Sequence, residues 1–292
     1  MRFPVLVGLA LLPALATADA KKPPPAPPAA PSPISELTER LEGITSKATK
    51  PQLDVPKFAL SDNVTVEQPT NADEALAGFP DFSVADTSKT IVGTTDPDTA
   101  WISTHLGEHY GACGKAGCAK EAPDAWLRAT ALFEKSNGTW QPLAWAITPA
   151  IPGTSQQEAL DGNVNPDALS RSTAGADDVA KLFEGSIGDP KKFAATFSDR
   201  KEVVMFGSEL AERYVGKQAR SQVTAWNFAF SVRDGVRAGT SRSGNLAWVA
   251  ANVDAKPVKA PKAKPLPFRA FALYEKTGAD WKLVSLQFST SV

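Results

Sequence analysis

A hairpin sequence that occurs twice decides the fold of this chain. ALFEKSNGTWQPLAWAIT, residues 131–148, returns as ALYEKTGADWKLVSLQFS, residues 272–289. Each copy reads Ala-Leu-aromatic-Glu-Lys, then a polar turn, then Trp and an apolar alternation. Two alternating runs joined by a short polar turn are typical of antiparallel β-strands. The same hairpin is therefore expected at two places in the chain.

The duplication extends upstream of the hairpin in the same order. FSVADTSKTIVGTTDPDTAWI begins at residue 82, and FSVRDGVRAGTSRSGNLAWV begins at residue 230. Farther upstream, ALSDNVTVEQP at residue 59 parallels TFSDRKEVVMFGS at residue 196. Self-similarity in a fixed order over this length indicates two copies of one domain.

Each copy is predicted to be an α+β domain, with helices first and an antiparallel meander afterwards. In the first copy, apolar residues at spacings of three and four predict one helix: Ile34, Leu37, Leu41 and Ile44. In the second copy, the predicted helices include Asp177–Phe183 and Lys217–Phe228. The predicted strands are Glu202–Phe206, Phe230–Ala238, Leu246–Val253, Phe268–Glu275 and Trp281–Phe288. Elements in this order form helices that pack on a curved antiparallel sheet.

The second copy carries an ordered pattern of short motifs. A short strand ends in Phe206-Gly207, YVGKQA follows at residues 214–219, and the meander ends in Leu-Tyr-Glu-Lys-x-x-x-x-Trp-Lys-Leu-Val. This pattern resembles the SnoaL-like branch of the nuclear transport factor two-like (ketosteroid isomerase-like) superfamily, and the resemblance covers residues 177–292. It is weaker over the first copy, where Gly-Lys-Gln-Ala has no clear counterpart and Pro142 interrupts the last strand. Because proline cannot donate a ladder hydrogen bond, Pro142 is expected at an edge or a bulge.

The repeat and the resemblance divide the chain into two cone-shaped domains, residues 34–148 and 176–292. Residues 149–175 form the predicted linker, which is marked by Pro152, Gly153 and the polar run after them. Domains of about 120 residues are of ordinary size. A hydrophobic content of 42% and a charged content of 22% are also ordinary for a globular protein.

The resemblance implies a conical sheet in each copy that closes over a pocket capped by the helices. Such pockets suit small apolar ligands. Trp226 is expected near the mouth of the second pocket. Three polar residues of the strands complete the set of candidate pocket residues: Asn252, Ser285 and Gln287. No cofactor and no metal ion is expected there.

Enzymes of this superfamily use Asp, Glu, His or Tyr inside the cone as acid and base. Where many relatives carry His in the last strand, this chain has Ser285 and Gln287 in the second copy and Ala144 and Ala146 in the first. None of these side chains is a good base at neutral pH, so no catalytic residue is assigned.

Two classes of function remain. The first is an exported, non-enzymatic binding or interaction protein that holds a small apolar ligand or a partner protein of the cell envelope. The second is a small-molecule isomerase, dehydratase or hydrolase of the ketosteroid isomerase type, in which Asp234 or Glu202 would supply the missing carboxylate. Asp234 is followed by Gly235 and is expected at a turn or a bulge. The missing acid–base residues favour the first class, and an oligomer is compatible with both.

The two cysteines of the chain, Cys113 and Cys118, flank the turn-forming tetrapeptide GKAG. In an exported protein this spacing predicts a disulfide that clamps a hairpin. His105 and His109 precede the cysteines, and a zinc site or free thiols are the alternatives. Strand positions 105 and 109 would lie about 13 Å apart, which favours the disulfide over one shared metal ion.

The N-terminus has the features of an export signal, residues 1–20, followed by a proline-rich disordered tether, residues 21–33. The apolar run Val5 to Ala16 is too short to span a bilayer as a helix, and small residues after it offer a cleavage site. The mature protein is therefore expected in the periplasm or outside the cell, without a transmembrane segment; a retained anchor is the alternative. A net charge of −1 provides no field that would attract nucleic acid.

Overall fold

The structure is a computed structural model, and it describes residues 33–45, 58–60, 65–67, 82–85, 89–108, 123, 125–150, 169, 171–260 and 262–290. Several expectations lie outside these residues. They concern the export signal, most of the tether, most of the linker, His109, Cys113 and Cys118. We call residues 33–150 the first half and residues 171–290 the second half.

The first half contains one described helix and seven strands. They are α1 (Pro33–Thr45), β1 (Phe58–Leu60), β2 (Thr65–Glu67), β3 (Phe82–Ala85), β4 (Ile91–Asp96), β5 (Thr99–Glu108), β6 (Ala125–Ser136) and β7 (Thr139–Pro149). The helix is amphipathic, and Leu37 and Leu41 of its apolar face are fully buried against the sheet.

The second half contains three helices and six strands. They are α2 (Asp177–Ser186), α3 (Pro190–Thr196), β8 (Val204–Phe206), β9 (Arg213–Val215), α4 (Lys217–Thr224), β10 (Phe228–Thr240), β11 (Leu246–Pro257), β12 (Leu266–Thr277) and β13 (Asp280–Ser289). Asp189 caps α3, because its side chain accepts hydrogen bonds from the backbone N–H groups of Lys191 and Lys192. The helix predicted over residues 217–228 ends earlier, at Thr224, because residues from Phe228 onwards pair with β11.

The two halves contain sheets of the same topology. The first sheet has the order β2-β1-β7-β6-β5-β3, with β4 also paired to β5, and the second has the order β9-β8-β13-β12-β11-β10. In each sheet one short strand pairs in parallel with the last strand of the meander, with Leu60 opposite Ala146 and Phe206 opposite Gln287. All other described ladders are antiparallel. The expected α+β class, with helices packed on antiparallel sheets, is confirmed.

The helices cover one face of the second sheet. Phe183 of α2 and Phe193 of α3 are fully buried and meet edge to face, with ring centroids 5.8 Å apart. On the sheet side, the same apolar core includes Val249, Ala272 and Leu286. Alternate positions on each strand therefore point toward the helices.

The other face of each sheet is covered by the opposite sheet. The shared core includes Trp101, Leu132 and Ala144 from the first half and Trp248 and Phe271 from the second, and Trp101 is fully buried. This contact makes Ser32–Val292 one compact unit. Among the described residues, no helix is long and apolar enough to cross a membrane.

Candidate functional site

A cavity of about 380 Å³ lies in the second half, between the sheet and the segment that follows α4. Its lining residues come from four places: the end of β8 and the turn after it, the end of α4, the first residues of β10 and β12, and the last residues of β13. They are Met205, Gly207, Ser208, Glu212, Gln222, Ala225, Trp226, Asn227, Phe228, Phe230, Leu266, Phe268 and Phe288. We call this space the second-sheet cavity.

Five of the thirteen residues that line the second-sheet cavity are aromatic. The Trp226 ring centroid lies 4.9 Å from that of Phe230 and 5.6 Å from that of Phe288. Phe230 and Phe288 are stacked at 5.2 Å, and Phe268 meets Phe288 edge to face at 6.3 Å. The strand residues share one face because the side-chain period of a strand is two. A volume of this size with apolar walls suits the body of a small organic ligand.

Among the described residues that line the second-sheet cavity, Glu212 is the one titratable side chain. The turn between β8 and β9 fixes its place. The backbone N–H of Glu209 donates to Glu212 Oε2 at 3.0 Å, and the N–H of Gly207 donates to the Glu212 carbonyl oxygen at 2.9 Å. A Cβ at position 207 would collide with the Glu212 side chain, so glycine leaves room for Glu212 in this position.

The same turn concentrates negative charge beside the cavity. Burial raises the pKa of Glu209, and the charge of Glu212 raises it further, although Arg128 acts in the opposite direction. Burial and then the charges of Glu212 and Glu209 also raise the pKa of Tyr214. A group that approaches this end of the cavity therefore meets a negative potential.

Of the four candidate pocket residues, the structure places Trp226 in the cavity wall and the other three elsewhere. Asn252 Nδ2 donates to Asp234 Oδ2 at 3.1 Å. Ser285 and Gln287 lie on the face of β13 that packs against the first sheet. Asn252, Ser285 and Gln287 are therefore not among the described residues that line the second-sheet cavity.

Ser285 and Gln287 connect the two sheets through buried hydrogen bonds. Ser285 Oγ and Ser103 Oγ share a hydrogen bond of 2.8 Å. Gln287 Oε1 accepts from Thr130 Oγ1 at 2.9 Å, and its Nε2 donates to Thr148 Oγ1 at 3.0 Å. These side chains are fully satisfied structural links rather than groups that face a ligand.

A bulge in β13 explains why the faces could not be assigned from the sequence. The pairing with β12 shifts between Leu273 and Tyr274, so that Val284 is an extra residue. Leu283 and Leu286 both belong to the core beneath the helices, whereas Val284 belongs to the core between the sheets. Simple alternation therefore fails at this point.

The two carboxylates weighed for catalysis also lie away from the cavity wall. Asp234 accepts a hydrogen bond from the Gly235 N–H at 2.9 Å, within the expected bulge of β10. Glu202 lies 3.7 Å from Arg200 and 3.8 Å from Lys201, in an ion-pair cluster before β8. Glu212 was not identified from the sequence. The available signal was the pair of acidic residues in the short turn after Phe206-Gly207.

His105 is enclosed by aromatic rings between the two sheets. Its ring centroid lies 5.2 Å from that of Phe206 and 6.3 Å from that of Trp126, and the residue is 2% exposed. Within the part of the chain that the structure describes, no group of three or more His, Cys, Asp or Glu side chains could hold a metal ion.

Comparison with protein-family models gives a match within the second half. Residues 179–292 match the family model of the SnoaL-like domain. No curated protein matches the chain significantly.

Several solved structures share a distant likeness with the chain. An NTF2-like protein of unknown function from Pseudomonas putida KT2440 is 15% identical, with 39% of this chain and 82% of that chain covered and a TM-score of 0.32. A candidate ketosteroid isomerase from Parabacteroides distasonis is 16% identical, with 44% and 95% covered and a TM-score of 0.32. A DUF4783 family protein from Bacteroides ovatus is 10% identical, with 38% and 92% covered and a TM-score of 0.28. Such distant matches carry no information on substrate or activity.

Proposed function

We propose that this chain is an exported binding protein that holds a small apolar ligand in the second-sheet cavity and does not transform it. The observation that carries the proposal is the aromatic wall around Trp226, which encloses a volume of about 380 Å³. Pockets of this size that are lined mainly by apolar rings bind small molecules by burying their surface. The match of residues 179–292 to a SnoaL-like domain supports a ligand-binding or isomerase-like domain in this half.

We also propose that residues 34–148 and 176–292 are two copies of one SnoaL-like cone, joined by the linker at residues 149–175. The sequence repeat and the common strand order of the two sheets support this proposal. In each sheet the short parallel strand meets the same position of the repeated hairpin, since Ala146 and Gln287 are equivalent residues. We propose that residues 1–20 act as an export signal and residues 21–33 as a tether, so that the protein functions in the periplasm or outside the cell.

Export further predicts a bond between Cys113 and Cys118, because oxidising compartments favour disulfides over free thiols. Mass mapping of the native protein without reductant is expected to give a peptide pair that is lighter by two hydrogens. Complete labelling of both thiols in the exported protein would contradict this proposal.

Titration with a neutral apolar probe tests the binding function. Neopentylbenzene is titrated calorimetrically into the wild type and into two cavity variants. Trp226→Ala removes the central ring, and Ala225→Trp fills the space with a new one. Both are expected to weaken binding by at least about tenfold, since burial of one large ring contributes more than the ~1.4 kcal/mol that tenfold requires.

Trp281→Ala is the matched control for the loss of a tryptophan. Trp281 belongs to the second half but does not line the cavity, and Lys276 lies over its ring at 5.6 Å. The affinity of the Trp281→Ala variant for neopentylbenzene is expected to equal that of the wild type at temperatures where both proteins are folded. Equal affinities in all four proteins, or no binding by the wild type, would refute the proposed function.

The position of Glu212 in the cavity wall favours an isomerase, dehydratase or hydrolase as the second candidate function. A carboxylate in an apolar cavity can act as a general base if a substrate proton comes within hydrogen-bond reach. Turnover of a 3-oxo-Δ5-steroid or of a panel of esters and epoxides tests this candidate. Activity that falls by about 10²-fold or more in Glu212→Gln would establish an enzyme, because that is the usual effect of removing a general base.

A further inference from the structure

We infer that the second-sheet cavity selects a ligand with a positive charge beside its apolar body, of the class of organic ammonium ions. The inference rests on the proposed binding function and specifies its ligand. It follows from three features of the described cavity wall: its aromatic rings, its single carboxylate, and the absence of a positively charged side chain from the described lining residues.

The wall of the cavity contains aromatic rings against which a cation can lie. Trp226, Phe230, Phe268 and Phe288 form one continuous cluster with centroid separations between 4.9 and 6.3 Å. The face of an aromatic ring is electron-rich, and tryptophan attracts cations most strongly. Quaternary ammonium groups bind in cages of this kind because they keep a charge yet shed water easily.

The charged side chains at this end of the cavity are negative. Glu212 lines the cavity, and Glu209 lies beside it on the same turn. In the part of the chain that the structure describes, no Lys, Arg or His lines the cavity. Burial, and then the charge of Glu212, raise the pKa of Glu209, although Arg128 acts in the opposite direction. An ammonium group at this end would relieve the repulsion between the two carboxylates, whereas an anionic ligand would increase it.

The nearest arginines are engaged with other groups. Arg128 is fully buried between the sheets, where Nη1 donates to the Gly207 carbonyl oxygen and the guanidinium lies 5.7 Å from the centroid of the Phe206 ring. Arg213 Nη2 donates to the Lys89 carbonyl oxygen at 3.0 Å, in the direction of the first half. Neither side chain lines the cavity. The Glu212 carboxylate is therefore the charge that a ligand meets.

An isosteric pair of probes tests the inference. Benzyltrimethylammonium and neopentylbenzene have the same shape and differ in one central atom, nitrogen or carbon, and hence in charge. Calorimetric titration of the wild type is expected to show that the cation binds at least as tightly as the neutral probe, although water solvates the cation better. Raising the salt concentration from about 50 mM to about 500 mM is expected to weaken binding of the cation severalfold and to leave the affinity for the neutral probe unchanged.

Glu212→Gln separates charge from shape. The expected result is a loss of about tenfold for the cation and less than about twofold for the neutral probe, since the amide keeps the size of the side chain. Glu202→Gln is the matched control, because this carboxylate belongs to the same half but does not line the cavity. It is expected to leave both affinities unchanged. If Glu212→Gln fails to fold, the salt dependence of the wild type carries the test alone.

The outcomes distinguish this inference from the function on which it rests. Tighter binding of the neutral probe than of the cation, an equal loss of both in Glu212→Gln, or a cation affinity independent of salt would overturn the ammonium class and leave the binding function intact. If the wild type binds neither probe, both the inference and the proposed function fail.

Discussion

Gly93 and Gly239 occupy equivalent places in the two halves, and each leaves room for a tryptophan ring. Gly93 is paired with Trp101, and Gly239 with Trp248, on neighbouring strands. A Cβ at position 239 would lie 2.7 Å from the Trp248 ring, and a Cβ at position 93 would collide directly with Trp101. Both rings belong to the core between the sheets, where little can move.

We predict that Gly93→Ala lowers the free energy of unfolding by about 1–3 kcal/mol, the usual cost of overpacking a core. Denaturant unfolding measures the effect. Gly185→Ala is the matched control, because Gly185 lies in α2 with nothing near the added methyl group. It should stabilise the helix by up to about 1 kcal/mol. A Gly93→Ala protein as stable as the wild type would show that the Trp101 contact is misplaced.

The pKa of Glu209 sets a second prediction at the scale of single residues. A carboxyl pKa that is higher in the folded chain favours folding at low pH. This contribution is complete below the ordinary value of 4.5 and is lost as the pH rises through the folded-state value. Glu209→Gln is therefore expected to be more stable than the wild type at pH 7, with no gain below pH 4.5. Because the side chain reaches solvent, the gain should stay below about 1 kcal/mol.

Thermal unfolding across this pH range measures the effect, and Glu209→Asp serves as the control that keeps the charge. A Glu209→Gln protein whose stability at pH 7 is unchanged or lower would contradict the repulsion between Glu209 and Glu212.

At the scale of elements, one face of β13 binds the opposite sheet and the other face lines the second-sheet cavity. Gln287 bonds Thr130 and Thr148 of the opposite sheet, while the neighbouring Phe288 lines the second-sheet cavity. We predict that Gln287→Ala costs about 1–3 kcal/mol of stability, because it leaves buried hydroxyl groups without their partner. The affinity for neopentylbenzene should change by less than about twofold, since the cavity wall is intact.

Phe288→Leu is the complementary variant. This substitution should lower the affinity for neopentylbenzene severalfold, because the ring that stacks on Phe230 is lost. Calorimetric titration and denaturant unfolding of both variants decide the assignment of faces. If Gln287→Ala abolishes probe binding while the protein remains folded, Gln287 acts in the pocket after all.

The sequence predicted the positions of the strands in the second half better than it predicted the sheet face to which their side chains point. Pro142 was expected at an edge or a bulge, and Asp234 at a turn or a bulge. Both lie at bulges, since the ladders shift next to Phe133, which pairs with Pro142, and between Val232 and Val236. Proline and glycine disturb a ladder wherever they occur, so these signals are local. The inward or outward direction of Ser285 depends on a bulge at Val284, where the sequence contains neither residue.

The parallel strands β1 and β8 illustrate a second limit. The sequence predicted a strand near Val204–Phe206, but nothing in three residues indicates that it pairs in parallel with β13. Strand β1 was not predicted at all. Pairing of this kind depends on contacts distant in sequence, which local patterns do not encode. The candidate site has the same limit: the sequence singled out Trp226 but not Glu212, and both residues line the second-sheet cavity.

At the scale of the whole molecule, the faces that the two sheets share make one compact unit of the halves. The shared surface combines apolar packing around Trp101 and Trp248 with the buried hydrogen bonds of Ser285 and Gln287. Arg128 of the first sheet also donates to Gly207, in the wall of the second-sheet cavity. The first half therefore supports the wall of the proposed binding site.

We predict that limited proteolysis cuts first within residues 149–175 and that the two fragments stay together afterwards. The contact between the sheets does not depend on the connecting segment, so the nicked protein should elute at the volume of the intact chain. Denaturing electrophoresis should then resolve two fragments. A first cut within residues 246–288, or fragments that separate on a sizing column, would contradict this account.

Native mass spectrometry of the protein purified from its own source tests the central claim most directly, because a binding protein can retain its ligand through purification. The wild type is expected to carry an additional small-molecule mass that denaturation releases. Ala225→Trp, prepared in the same way, should fold with the wild-type thermal midpoint within a few degrees and lack that mass. A folded wild type with its bare mass, or the same retained mass in Ala225→Trp, would contradict a ligand in the second-sheet cavity.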